Sequence, residues 1–183
     1  VTDGCTWTNT SYEFTTQAAP QQAPWQKNEA PTNGSTNVCN VPVPALYVVA
    51  IDNNTIDTMN ATWRYNDSGS WWTFATNTSV ANNTNIPQTN ANFTNASTTY
   101  YWSVNLTDGE GGWNNQTYHF TTNQAPTQAN EAPTDEMAGV SVTPDLYVVV
   151  SDADSDTMTV EWWYNVSDSW WQFGSNASVS TGT

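Results

Sequence analysis

The chain has 183 residues, 37% of them hydrophobic, with 17 acidic side chains against only Lys27 and Arg64, for a formal charge of −15. A surface of that sign repels phosphate backbones and anionic headgroups, which excludes nucleic acid as a partner. No apolar run approaches the roughly 20 residues of a membrane-crossing helix, so no membrane span is expected in this segment.

In chain order, Val1 is neither an initiator Met nor the start of a signal segment, so the sequence reads as a mature product or an excerpt. Thr2-Asp3-Gly4 and Phe14-Thr15-Thr16 recur as Thr107-Asp108-Gly109 and Phe120-Thr121-Thr122. Residues 1–17 are therefore expected to form the C-terminal end of one unit. Residues 18–33, with Pro20, Pro24 and Pro31, read as a semi-rigid linker.

Residues 24–123 read as one complete unit. Leu46 to Ile51 is a β-rich run. Met59, Ala61, Trp63 and Tyr65 alternate with Asn60, Thr62, Arg64 and Asn66. Tyr100, Trp102, Val104 and Leu106 alternate with Tyr101, Ser103, Asn105 and Thr107. Period-2 patterning of this kind predicts half-buried strands, and Tyr118 to Thr122 supplies another. Turn signals at 66–69 and 108–112 separate the runs, and no stretch has helical spacing. About seven short strands in about 100 residues predict a β-sandwich.

A second linker follows at 123–136, with Pro126 and Pro133. Residues 137–183 then restart the unit. Leu46-Tyr47-Val48-Val49 recurs as Leu146-Tyr147-Val148-Val149, Trp63 as Trp162, Tyr65 as Tyr164, Trp71-Trp72 as Trp170-Trp171 and Phe74 as Phe173. A period near 100 residues marks whole domains in tandem.

Thr99-Tyr100-Tyr101-Trp102-Ser103-Val104, Thr107-Asp108-Gly109, Tyr118-His119-Phe120-Thr121-Thr122 and Ser151-Asp152-Ala153-Asp154-Ser155-Asp156-Thr157-Met158 together resemble the fibronectin type III-like or immunoglobulin-like repeats of prokaryotic, especially archaeal, surface proteins. The resemblance implies an all-β chain of tandem sandwiches joined by Pro-rich linkers, with Tyr100 placed like the family's corner tyrosine.

Thirteen Asn-x-Ser/Thr sequons are present, at Asn9, Asn33, Asn53, Asn60, Asn66, Asn77, Asn82, Asn92, Asn95, Asn105, Asn115, Asn165 and Asn176. Random order with 23 Asn and 45 Ser plus Thr gives about 5 or 6, a twofold enrichment that points to covalent N-glycans and an extracellular or cell-surface location. Cys5 and Cys39 have no counterparts in the other copies and allow one intramolecular disulfide, spanning the first linker.

Asp152, Asp154 and Asp156, with a weaker counterpart in Asp52, Asn54 and Asp57, form a candidate calcium loop, although Asp and Asn also favour turns through side-chain to backbone bonds. Most of the 11 Trp read as core, and in Trp71-Trp72 and Trp170-Trp171 one of each pair should be buried. Exposed indoles, Trp163 among them, have three readings: binding an external carbohydrate, packing on the protein's own glycans, or lining a subunit contact. His119, the only histidine, matches Glu13 in the preceding copy and reads as solvent-facing; no nucleophile motif or zinc spacing appears. The expectation is a non-enzyme, a structural component that self-associates through neighbouring repeats or subunits, with an adhesin or carbohydrate-binding module as the alternative.

Overall fold

The computed structural model describes residues 4–15, 22–54 and 58–183, and among these it contains no helix. Twelve strands lie among the described residues. The first unit holds β1 (Trp25–Ala30), β2 (Ser35–Val38), β3 (Ala45–Ile51), β4 (Met59–Asp67), β5 (Ser70–Val80), β6 (Thr84–Thr89), β7 (Thr99–Thr107) and β8 (Trp113–Thr122). They form a three-stranded sheet, β1-β3-β6, and a five-stranded sheet, β2-β8-β7-β4-β5, in which only the β2–β8 pairing is parallel.

Alternation on each strand explains why these two sheets face one another. Leu46, Val48, Ala50 and Ile86 point inward from the smaller sheet, and Met59, Ala61, Trp63, Trp102, Val104, Leu106, Tyr118 and Phe120 from the larger, making one buried cluster. That arrangement is compatible with a β-sandwich. Trp63 and Trp102 stack with ring centroids 5.8 Å apart, and Phe93, from the β6–β7 connection, packs edge-on to Phe120 at 5.6 Å. The Tyr100 hydroxyl accepts from the Asn95 N–H at 3.0 Å, tying that connection to β7.

Two turns fix the frame. Ser68 and Gly69, between β4 and β5, both have positive φ, the geometry of a type I′ hairpin turn that matches the strands' right-handed twist. After β7, the Asp108 Oδ1 accepts from the N–H groups of Glu110 and Gly112, at 2.8 and 2.9 Å. A Cβ at Gly112 would sit 2.1 Å from Asp108 Oδ2 and 2.9 Å from the Ala23 Cα, so only glycine fits there.

The second unit holds β9 (Thr127–Ala132), β10 (Tyr147–Ser151), β11 (Met158–Val166) and β12 (Ser169–Val179), paired as β9-β10 and β11-β12. These match β1, β3, β4 and β5 in irregularity as well as in register. The ladder slips between Met158 and Val160 and between Trp162 and Trp163, as it does between Met59 and Ala61 and between Trp63 and Arg64. The hairpin turn at Ser167 and Asp168 again has positive φ at both residues.

Three expectations change. The stretches 18–33 and 123–136, assigned to linkers, carry β1 and β9, which pair with β3 and β10. These edge strands need only one partner, so Lys27, Asn28 and Glu29 are tolerated without alternation. Residues 4–15 are exposed throughout and contribute no strand to these sheets, and the thiols of Cys5 and Cys39 are both exposed and not joined in a disulfide. Only Trp63 and Trp102 among the tryptophans are fully buried. Both members of Trp71-Trp72 and of Trp170-Trp171 are exposed, because each hairpin runs past the core and β5 is an edge strand.

Candidate functional site

Two regions gather the candidate residues: the joints ahead of each unit and the outer face of the five-stranded sheet. At the first joint, the Asp52 Oδ1 accepts from the Asn54 N–H at 2.7 Å, the Asn54 Oδ1 accepts from the Gln22 N–H at 3.2 Å, and the Asp52 N–H donates to Asn82 at 2.9 Å. The second joint repeats the scheme. Asp152 Oδ1 accepts from Asp154 and Asp156 N–H, at 2.9 and 3.1 Å; Asp154 Oδ2 accepts from the Gln124 N–H at 2.5 Å; and the Asp152 N–H donates to Thr181 at 3.0 Å. Asp156 also accepts from Asn37 Nδ2 of the preceding unit, at 2.7 Å.

The aspartates therefore serve as turn and joint acceptors. Asp52 and Asp152 are buried, and loop N–H groups supply partners to the Oδ1 of each, while the Asp52 Oδ2 is buried without a hydrogen-bond partner. Among the described residues no group of three or more His, Cys, Asp or Glu is placed to hold a metal ion; Asp57 lies outside the described residues. The Gln22 and Gln124 contacts escaped the motif search, although Gln-Ala-Pro recurs at 22–24 and 124–126 and marks them.

The outer face of the larger sheet carries one group of sequons. Cross-strand rows run Asn60–Thr107–Trp113, Thr62–Asn105–Asn115 and Arg64–Ser103–Thr117 over β4, β7 and β8. Each sequon's acceptor and hydroxyl lie two apart and so share a face. Asn60, Asn105 and Asn115 thus form one patch, with Asn66 at its end. Asn33, Asn53, Asn82, Asn92 and Asn95 lie in connections, and strands β1, β3, β6, β9 and β10 carry no sequon. Asn77 and Asn176 do structural service: their Oδ1 atoms accept from the indole N–H of Trp63 at 2.8 Å and of Trp162 at 2.7 Å. Asn9 sits in the exposed segment 4–15.

His119 stacks on Tyr101 on this same face, at 5.4 Å, and is partly exposed. Trp163 is exposed on the matching face of β11, its indole N–H donating to Glu161 at 3.3 Å. Burial, with Glu29 nearby, pushes the phenol of Tyr118 well above its ordinary value, as suits a core side chain. No helix among the described residues is long and apolar enough to cross a membrane. No protein-family model, curated protein or solved structure matches the chain.

Proposed function

We propose that the chain is part of an extracellular, N-glycosylated array of immunoglobulin-like or fibronectin type III-like sandwiches with a structural, non-enzymatic role. The observation that carries this reading is the joint. The same linker-to-loop hydrogen bond stands ahead of both units, and a further bond from Asn37 to Asp156 spans them. The repeated bond fixes how each unit begins, and the Asn37 to Asp156 bond across the second joint supports a set angle between successive units, which is what a stalk, filament or surface layer requires. The Tyr100 to Asn95 bond, matching the family's corner tyrosine, supports the fold assignment.

Sequon enrichment supports the surface location. Glycosylation joins an Asn Nδ2 to the anomeric carbon of an activated sugar; the sugar's leaving group departs with its bonding electrons and the amide loses one proton. Neutral glycans then solvate a face that has almost no basic residues. In this reading Asp152 and Asp154 hold the joint rather than a calcium ion. The exposed Trp71 and Trp72 favour a second reading, an adhesin that binds carbohydrate.

Small-angle scattering and electron microscopy of the glycosylated chain test the reading. A single angle between units, broadened by Asn37→Ala with Asp154→Ala, supports it. A broad distribution already present in the unmodified chain, together with binding on a glycan array, overturns it in favour of the adhesin.

A further inference from the structure

Asn66 pairs directly across the β4–β5 hairpin with Trp71, and Asn165 pairs across the β11–β12 hairpin with Trp170. Each pair stands one step from a two-residue turn. The residues flanking such a turn exchange both backbone bonds, so the next pair is non-hydrogen-bonded, with Cα atoms about 4.5 Å apart and side chains on one face. The sequon acceptor and an indole therefore rise side by side, in two hairpins whose turns differ, Ser68-Gly69 in one and Ser167-Asp168 in the other.

The details fit a glycan at these positions. The Asn66 Oδ1 accepts from the Gly69 N–H at 3.1 Å, which orients the amide and leaves its Nδ2 without a partner among the described residues. Trp71 and Trp170 are 40% and 66% exposed, so each presents indole surface that a sugar on the neighbouring Asn can reach. One face of a pyranose presents only C–H bonds, whose positive edge suits the negative face of an aromatic ring.

We propose that Trp71 and Trp170 are stacking platforms for the first sugar of N-glycans carried by Asn66 and Asn165. The proposal rests on the glycosylation reading above and assigns these two indoles to the protein's own glycans, not to an external carbohydrate or a subunit contact. A same-strand version recurs on β8, where Trp113 and Asn115 lie two apart and share a face.

Glycopeptide mass spectrometry and oxidative footprinting of the glycosylated chain test the proposal. Asn66 and Asn165 should be occupied, and enzymatic glycan removal should raise the oxidation of Trp71 and Trp170 while leaving Trp72 and Trp171, on the opposite face, unchanged. In the NMR spectrum the ring protons of the Asn66-linked sugar should be shifted upfield, and the shift should vanish in Trp71→Ala but persist in Trp72→Ala. Unoccupied Asn66 and Asn165 overturn the proposal and weaken the glycosylation reading with it. Occupied sites whose indoles oxidise equally before and after glycan removal overturn the stacking alone.

Discussion

Residues 45–80 and 147–179 carry the same pattern with the same register and bulges, yet they bury different amounts. Leu46 is 0% exposed and its counterpart Leu146 is 47%; Phe120 is 0% exposed and Phe14, its counterpart near the N-terminus, is 88%. In the first unit β6, β7 and β8 cover these side chains, whereas a hollow of about 500 Å³ lined by Ala129, Leu146, Val148, Val160 and Trp162 lies against β9, β10 and β11. Local pattern thus suffices to set strand, turn and bulge. Burial is decided by whether the opposite sheet and the neighbouring strands are present to receive the same side chains.

The largest expected effect breaks the comparison at its centre. Trp63→Ala empties a fully buried site against Trp102 and Phe74 and should cost the first unit about 3–5 kcal/mol, whereas Trp162→Ala, beside the hollow, should cost under about 1 kcal/mol. Denaturant midpoints at constant slope check both values, and equal losses would show that the second unit has a closed core. Next comes Gly112→Ala. The added methyl has to displace Asp108 or the Ala23 backbone, and about 1–3 kcal/mol is expected from differential scanning calorimetry, with a loss near zero contradicting the close approach.

Much of the fold was legible in the sequence. Alternation around Trp63 and Trp102 placed β4 and β7, and the recurrence of Leu46-Tyr47-Val48-Val49 located β10. What escaped had a physical cause in each case. Strands β1 and β9 lie among prolines and charged residues, which an edge strand accepts because one of its sides needs no partner. Trp71 and Trp72 looked half core because alternation predicts faces but not where the core ends. At Asp152 the sequence marks a loop carboxylate, and its bonds to the Asp154 and Asp156 N–H groups needed the backbone of that loop. Sequon positions were fully readable; the grouping of Asn60, Asn105 and Asn115 on one sheet face, and the pairing of Asn66 with Trp71, needed the cross-strand register.

A finer version of the comparison lies in the indole bonds. Asn77→Ala leaves the Trp63 Nε1–H without its 2.8 Å acceptor and the Gln88 amide without its 2.9 Å acceptor and should cost about 1–2 kcal/mol, while Asn176→Ala, where Trp162 is partly exposed, should cost little. Since Asn77 is also a sequon acceptor, Ser79→Ala separates the two roles: it abolishes the sequon and keeps the hydrogen bond. Thermal shifts that follow Asn77→Ala but not Ser79→Ala assign the loss to the bond.

The smallest effect concerns Tyr118, which the larger sheet buries against Trp102 at 4.5 Å. Its phenol titrates above its ordinary value because burial disfavours the anion and Glu29 adds repulsion. The folded chain therefore holds this proton more tightly than the unfolded chain does. The resulting stability is complete below about pH 10, the unfolded value, and falls as pH rises beyond it. Tyr118→Phe removes that part of the alkaline decline and keeps the ring packing, so its denaturation midpoint between about pH 10 and 12 should fall less steeply than that of the parent chain. Parallel declines would mean that the phenol reaches water and that the core under β8 is looser than its packing against Trp102 implies.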